Sequence, residues 1–342
     1  MKIAELKEQE KATIRCLVQD SKKCVSNNGK AYLTVMLCDS SGDIDGRKWE
    51  VEENDLDIFE KGNYVEVTLI PNLFEKKIQG KILSVTKLDK ATADWDELVA
   101  KAPVEIAKLH RKLSEYIARI KDPVVTNLVK AVFTKYYKRY KEWPAAASNH
   151  HNYLHGLIYH SLTMADLAEK VCDIYPVLNR DVVMGGVLLH DVGKTIELSG
   201  ITATNYTLEG KLLGHLAIGG NIVHESAKEL GYFAYDDFDE EAKKDKTSEA
   251  FHKKEIAVIF EHILLSHHGI PDYGSAIRPL TRESQIISMI DDIDAKMMIL
   301  QKAYEGVENG DYTGKIFSMD SRYFYKPMYT ENEDKPFGLP EE

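Results

Sequence analysis

Val187-Leu188-Leu189-His190-Asp191-Val192-Gly193-Lys194 is an apolar run that ends abruptly in an imidazole, a carboxylate and an ammonium group. Adjacent His and Asp can face one cation, because nitrogen and oxygen donors suit a borderline or hard divalent metal. Such a pair is common, and its weight comes from the residues ordered around it. His160 precedes it; His215, the pair His267-His268 and Asp291 follow. His150, His151 and His155 compete with His160 for its place, as Asp292 and Asp294 do with Asp291. Taken singly, His215 reads as an ordinary helix histidine, and His267-His268 before Gly269 as a helix C-terminal cap favoured by the macrodipole. Taken as an ordered set, the seven read as a metal centre. Seven protein ligands exceed what one cation accepts while keeping positions for water and substrate, so two divalent ions are expected.

The order of these ligands resembles the HD-domain metal-dependent phosphohydrolases. The stretches LLHDVGKTIELSG (188–200), YTLEGKLLGH (206–215), LLSHHG (264–269), IDDIDAK (290–296) and RYFYKP (322–327) resemble the YhaM-type 3′-to-5′ exoribonucleases in particular. The resemblance implies that Asp191 bridges two ions. His160, His190 and Asp291 would complete one site, and His215, His267 and His268 the other. Asp291 is favoured over its neighbours because the family pattern puts the ligand four residues before the Ala-Lys of DIDAK. The resemblance also implies a bridging hydroxide as nucleophile, His190, Asp191 and Lys194 as the catalytic group with Lys194 on the phosphate, and Mn²⁺ as the metal. Ligand chemistry alone admits Fe, Co, Ni or Zn as well.

At 342 residues, with 44% hydrophobic and 29% charged residues, the chain is expected to form two globular domains. No apolar run reaches the roughly 18 residues of a membrane span and no signal-peptide core opens the chain, so the expected location is the cytoplasm. Cys16, Cys24, Cys38 and Cys172 show no CxxC pairing and read as small buried hydrophobes rather than disulfides or zinc ligands. A net charge of −11 argues against a protein that coats nucleic acid indiscriminately. Charge is local, however. Residues 101–142 hold 11 Lys and Arg against 4 Asp and Glu, a net of +7.

Residues 1–90 read as an all-β domain: β-rich runs at 13–19, 31–37, 64–70 and 78–88 are separated by turn chemistry such as Asn27-Asn28-Gly29-Lys30. The stretch KKCVSNNGKAYLTVMLCDSSGDIDGRKWE (22–50) resembles the OB-fold barrels that bind single-stranded nucleic acid. Tyr32, Trp49, Tyr64, Phe74, Lys76 and Lys77 are the aromatics and cations available for stacking and phosphate contact, although core or rim packing is the better reading of any one of them alone. Residues 91–149 read as a helical, basic linker region in which Lys138 and Arg139 either guide a polyanion or form a solvated face. Residues 150–308 read as an all-α HD-domain bundle, interrupted near 236–254 by a charged stretch expected to be a surface insertion. Residues 309–342 read as a C-terminal tail, rich in aromatics, that either packs on, borders the substrate entrance or contacts another subunit.

Three functions follow. The leading one is a metal-dependent 3′-to-5′ exoribonuclease acting on single-stranded RNA, and on single-stranded DNA as an open alternative, with homo-oligomerisation left open. The second is an HD-type phosphodiesterase of nucleotides or cyclic dinucleotides, against which the HHG…DYG stretch departs from the HHxxxDGxGYP signature. The third is a non-catalytic RNA-binding protein, disfavoured because no ligand of the set is missing.

Overall fold

Inward apolar side chains alternate with outward polar ones along the first strands, which fixes one face of each against a common core. The computed structural model describes residues 1–26, 28–74, 77–146, 153–200, 204–233 and 245–329. Ile14 and Cys16 of β1 (Ala12–Val25) and Leu33, Val35 and Leu37 of β2 (Ala31–Asp39) point inward. With β3 (Gly42–Trp49), β4 (Tyr64–Phe74) and β5 (Lys77–Lys87) they form a closed barrel in the order β1-β2-β3-β5-β4. The β3–β5 pair is parallel and the other pairs are antiparallel. A five-stranded Greek-key barrel of this kind is an OB-fold. The compact unit containing it comprises Met1–Lys101 and the excursion Gly200–Asn205. It includes the short helices α1 (Asp55–Ile58) and α2 (Trp95–Leu98), and in it Lys61 Nζ donates to Thr204 O (3.1 Å) and Asn205 Oδ1 (2.9 Å).

The described residues of the second unit, Ala102–Ser199 with the chain from Tyr206 onward, are mainly helical, with an isolated Leu198–Tyr206 bridge and two bridges in the C-terminal segment. It contains α3 (Ile106–Arg119), α4 (Pro123–Glu142), α5 (Gly156–Ile174), α6 (Arg180–Leu189), α7 (Lys194–Glu197), α8 (Leu208–Glu229), α9 (Glu249–Ser266) and α10 (Arg282–Tyr304). α6 is buried from Val182 to Leu189, as its uninterrupted apolar run requires, and Asn179 caps it by accepting from the Asp181 and Val182 amides. Leu109 and Leu113 of α3 and Val125, Leu128 and Val132 of α4 share one core with Leu157, Leu188 and Phe260. The basic residues of α4 thus occupy the outer side of a helix whose other side lies in the bundle core.

α9 begins earlier than the charged stretch suggests. Residues 236–244 of that stretch lie outside the described residues, but Ser248 accepts from the Phe251 amide and starts the helix at Glu249, where a Glu249–Lys253 pair one turn apart supports it. Among the described residues, no helix is long and apolar enough to cross a membrane. All four cysteines are free thiols.

Candidate metal centre and nucleic-acid surface

Five helices meet around Asp191. α6 delivers His190 and Asp191 at its C-terminal end, α5 delivers His160 from its second turn, the end of α9 delivers His267 and His268, and α10 delivers Asp291. His215 is placed by a break in α8: Gly214 takes φ +72° and ψ 160°, so His215 begins a fresh helical run with its ring turned toward Asp191. A positive φ costs glycine nothing, and the GH step of this stretch is thereby explained. Gly193 serves the same convergence. A Cβ on it would lie 2.0 Å from His215 O, so only glycine lets α7 approach α8 this closely.

The two carboxylate oxygens of Asp191 face different histidines. Oδ2 is 3.2 Å from His190 Nε2 and 3.7 Å from His160 Nε2; Oδ1 is 3.4 Å from His215 Nε2 and 3.7 Å from His267 Nε2. His160 Nε2 lies 3.3 Å from Asp291 Oδ1 and 3.2 Å from His190 Nε2, and the Nε2 atoms of His215 and His268 are 3.2 Å apart. Donor atoms sharing a cation at the usual zinc-type bond lengths sit about 3 to 3.5 Å from each other. Five of the seven spacings fall in that range and the two of 3.7 Å lie just above it, and the residues form the overlapping groups His160–His190–Asp291, His190–Asp191–His267 and His215–His267–His268.

The outward ring nitrogens are held too. His160 Nδ1 bonds Asp294 Oδ2 (2.6 Å), His215 Nδ1 bonds Glu197 Oε1 (3.1 Å), and the Nδ1 atoms of His190 and His267 bond Val187 O (2.8 Å) and Leu264 O (2.9 Å). Each anchor turns an Nε2 inward and, in the neutral ring, selects the tautomer that leaves Nε2 a lone pair, as outer partners of metal-ligating histidines do. Asp191 Oδ1 and His267 Nε2 are buried and have no hydrogen-bond partner among the described residues. A buried carboxylate oxygen with nothing to accept from is costly, and a cation resolves it.

Electrostatics agrees. Burial lowers the pKa of His215 and His267, and burial with the neighbouring His267 brings His268 down to about 4, so these three imidazoles are neutral at pH 7 and available as donors. Asp191 is held well below the usual carboxylate range: burial opposes its charge, but Lys194 and His190 outweigh burial. His160 goes the other way. Burial opposes its charge, yet the hydrogen bonds it donates to Asp291 and Asp294 push it up to about 10, so a cation at Nε2 must displace a proton.

All seven candidate ligands therefore meet. Asp294 lies on the far side of His160 and Asp292 pairs with Lys296 at the surface, which leaves Asp291 facing the centre. His155 does not approach it; at φ +68° it caps the start of α5, with Nδ1 against Lys141 O (2.5 Å). His150 and His151 lie outside the described residues. Lys194 Nζ is 2.6 Å from Asp191 Oδ2. Glu197 went unread in the sequence; its only signal was its place in the HDVGKTIE stretch, eighteen residues before His215.

A family profile for the HD domain matches residues 157–296. The 3′-5′ exoribonuclease YhaM of Oceanobacillus iheyensis is 37% identical over 318 residues, covering 93% of this chain and 94% of that one. The chain belongs to the YhaM family. Two archaeal solved structures also align with part of it. The second OB-fold domain of replication protein A from Methanococcus maripaludis is 24% identical, with TM-score 0.22, over 27% of this chain and 98% of that one. The replication factor A related protein of Methanobacterium thermoautotrophicum is 15% identical, with TM-score 0.23, over 26% and 90%. The HD domain of this YhaM-family chain thus carries a His/Asp cluster suited to divalent metal.

On the barrel, Tyr32 and Trp49 are cross-strand partners and their rings stack, centroids 4.6 Å apart and 25° between planes. Arg47 lies 5.8 Å over Tyr32. In the neighbouring register row, Lys22, Thr34, Arg47 and Lys81 align across β1, β2, β3 and β5. Arg47 and Lys81 were not among the expected contacts; the pairing of β3 with β5 is long-range and leaves no local pattern. Tyr64, counted among the available aromatics, is buried and cannot stack on a base. Lys76 and the side chains of Phe74 and Lys77 lie outside the described residues. On α4, Lys138 is exposed, and Arg139 donates to Thr195 O (3.4 Å) and lies 5.8 Å from the Trp143 ring centroid.

Proposed function

We propose that this protein is a metal-dependent 3′-to-5′ exoribonuclease that acts on single-stranded RNA in the cytoplasm and works with two Mn²⁺ ions. Family membership supports the reaction and its polarity. The observation that carries the metal reading is the carboxylate of Asp191, which turns one oxygen to His160 and His190 and the other to His215 and His267. In this assignment His160, His190, Asp191 and Asp291 would hold one ion, and Asp191, His215, His267 and His268 the second. Bound divalent ions supply an activated water and Lewis acidity toward the phosphoryl oxygens.

The chain's own residues do the rest. Asp294, Glu197, Val187 O and Leu264 O lock the imidazoles so that little reorganisation accompanies the reaction. Lys194, whose ammonium sits beside Asp191, offsets negative charge on the phosphate. Residues 1–90 hold the strand: Tyr32 and Trp49 stack on bases, and Arg47 with Lys22 and Lys81 meets phosphates. Residues 150–308 cleave.

The test is digestion of a 5′-labelled single-stranded RNA with Mn²⁺, beside the same RNA blocked at its 3′ end and beside a cyclic dinucleotide. A ladder shortening only from the free 3′ end is expected. Intact RNA together with hydrolysed cyclic dinucleotide would replace this reading with that of a small-nucleotide phosphodiesterase.

A further inference from the structure

Beyond α10 the chain folds back on itself and turns aromatic rings to solvent. Isolated bridges pair Tyr312 with Tyr325 and Ile316 with Arg322, and Asp320 and Ser321 take positive φ at the tip. The hairpin is pinned rather than loose. Lys326, itself buried, donates from Nζ to Tyr304 O (3.4 Å) in the last residue of α10 and to Val307 O (3.0 Å) just beyond it, and Tyr304 Oη donates to Tyr325 O (3.1 Å). Thr313 and Met319 are buried beneath it.

On this fixed support the large rings are left outside: Tyr329 is 95% exposed, Phe317 80%, Tyr323 61% and Tyr312 60%. One exposed aromatic is ordinary, but four within eighteen residues of an anchored segment form a surface. Cations are interleaved with the rings. Lys315 Nζ lies 5.6 Å over Phe317 and Arg322 Cζ 5.0 Å over Phe324. The Arg322–Asp320 pair (3.4 Å) is exposed and competes little. At the surface of residues 309–329 the cations Lys315 and Arg322 balance Asp311 and Asp320, within a chain of net charge −11. Rings for bases with cations for phosphates are the chemistry of single-strand binding, and they repeat the composition of Tyr32, Trp49 and Arg47 on the barrel.

We propose that the hairpin of residues 312–329 is a second binding surface for single-stranded RNA, with Tyr312, Phe317, Tyr323 and Tyr329 stacking on bases and Lys315 and Arg322 meeting phosphates. It rests on the single-stranded RNA reading above. The hairpin is tied to Tyr304, thirteen residues along α10 from Asp291, which is about 20 Å of helix. RNA held there is several nucleotides from the bond being cut. The surface therefore adds affinity for long strands and little for short ones.

The test uses the full chain in chelator, so that RNA is bound and not consumed, with a 20-nucleotide oligouridylate carrying 4-thiouridine as probe. Crosslinks within 312–329 are expected. The double variant Phe317→Ala/Tyr323→Ala should raise the Kd by about fivefold or more, the loss of one to two stacked bases, whereas Tyr323→Phe, which keeps the ring, should leave it unchanged. For a trinucleotide the double variant should shift the Kd less than about twofold. Unchanged affinity with no crosslink in this stretch overturns the proposal. So does unchanged affinity with a lowered oligomeric mass, which would make the hairpin a contact between copies of the chain. Wild-type protein that binds neither oligonucleotide would instead overturn the single-stranded RNA reading itself.

Discussion

Oε1 of Glu197 accepts from both the backbone amide of His215 (3.0 Å) and its Nδ1 (3.1 Å). One carboxylate thus caps the helical run that restarts after Gly214 and aims the ring that begins it. Burial raises the cost of the Glu197 charge, but the contacts with His215 hold its pKa below the ordinary value, so it is ionised at neutral pH. Glu197→Gln keeps the shape and removes the charge. Metal affinity should fall by roughly 10- to 100-fold, the usual loss for an outer partner, with the far-ultraviolet circular dichroism unchanged. Calorimetric titration with Mn²⁺ measures it, and an unaltered affinity would show that His215 needs no carboxylate behind it.

Replacing both His190 and Asp191 by Ala removes the ligand shared between the two proposed sites and one of its partners. RNA cleavage should vanish while oligouridylate binding persists, because the barrel residues are untouched. A double variant that still cleaves at the wild-type rate would displace the assigned centre.

How much of this site the sequence displayed depends on how far apart its parts are. His190 and Asp191 are adjacent, and the other candidate residues stand in an order that marks them, so the seven that the structure brings together could be singled out beforehand. Glu197 and Asp294 were not, because their role depends on which nitrogen of a distant ring they reach, and spacing carries no ring orientation. In the barrel, β1, β2, β4 and β5 showed through their apolar alternation. β3 did not, since Gly46 and Lys48 occupy two of its inward positions and break the apolar pattern. The start of α9 was hidden by charge: a stretch with few aliphatic residues still forms helix when a serine caps it.

Gly193→Ala tests the close approach of α7 to α8. The added methyl would meet His215 O at 2.0 Å and Gly219 N at 2.8 Å, both backbone atoms that cannot rotate away. The helices must separate, at a cost of about 3 kcal/mol and roughly 6 to 12 °C in Tm. Metal affinity should fall with it, because His215 moves. Thermal unfolding with and without Mn²⁺ reads both effects, and a Tm within about 1 °C of wild type would contradict the packing.

Chelation should abolish RNA cleavage and also lower the unfolding temperature. Asp191 Oδ1 and His267 Nε2, buried without hydrogen-bond partners among the described residues, have a cation to satisfy them only in the loaded protein. A ligand that binds the folded state alone stabilises it by mass action, about 4 kcal/mol at a thousand times its Kd. Adding back Mn²⁺ restores both; cleavage that survives exhaustive chelation would remove metal from the reaction.

Arg47 gives the sharpest test of the barrel. It lies over Tyr32, which stacks on Trp49, and in one register row with Lys81 on the neighbouring β5 and Lys22 on β1, beyond Thr34 of β2. If it meets a phosphate, Arg47→Ala should reduce the slope of log affinity against log salt by about 0.7, the counterion term for one contact on a single strand. Tyr32→Ala with Trp49→Ala should weaken binding by about 1 to 3 kcal/mol per lost base stack yet leave that slope nearly unchanged, because stacking releases no counterions. The two variants therefore separate along different axes of one titration series. If both instead move affinity alone and neither changes the salt slope, Arg47 supports the Tyr32 ring and contacts no phosphate.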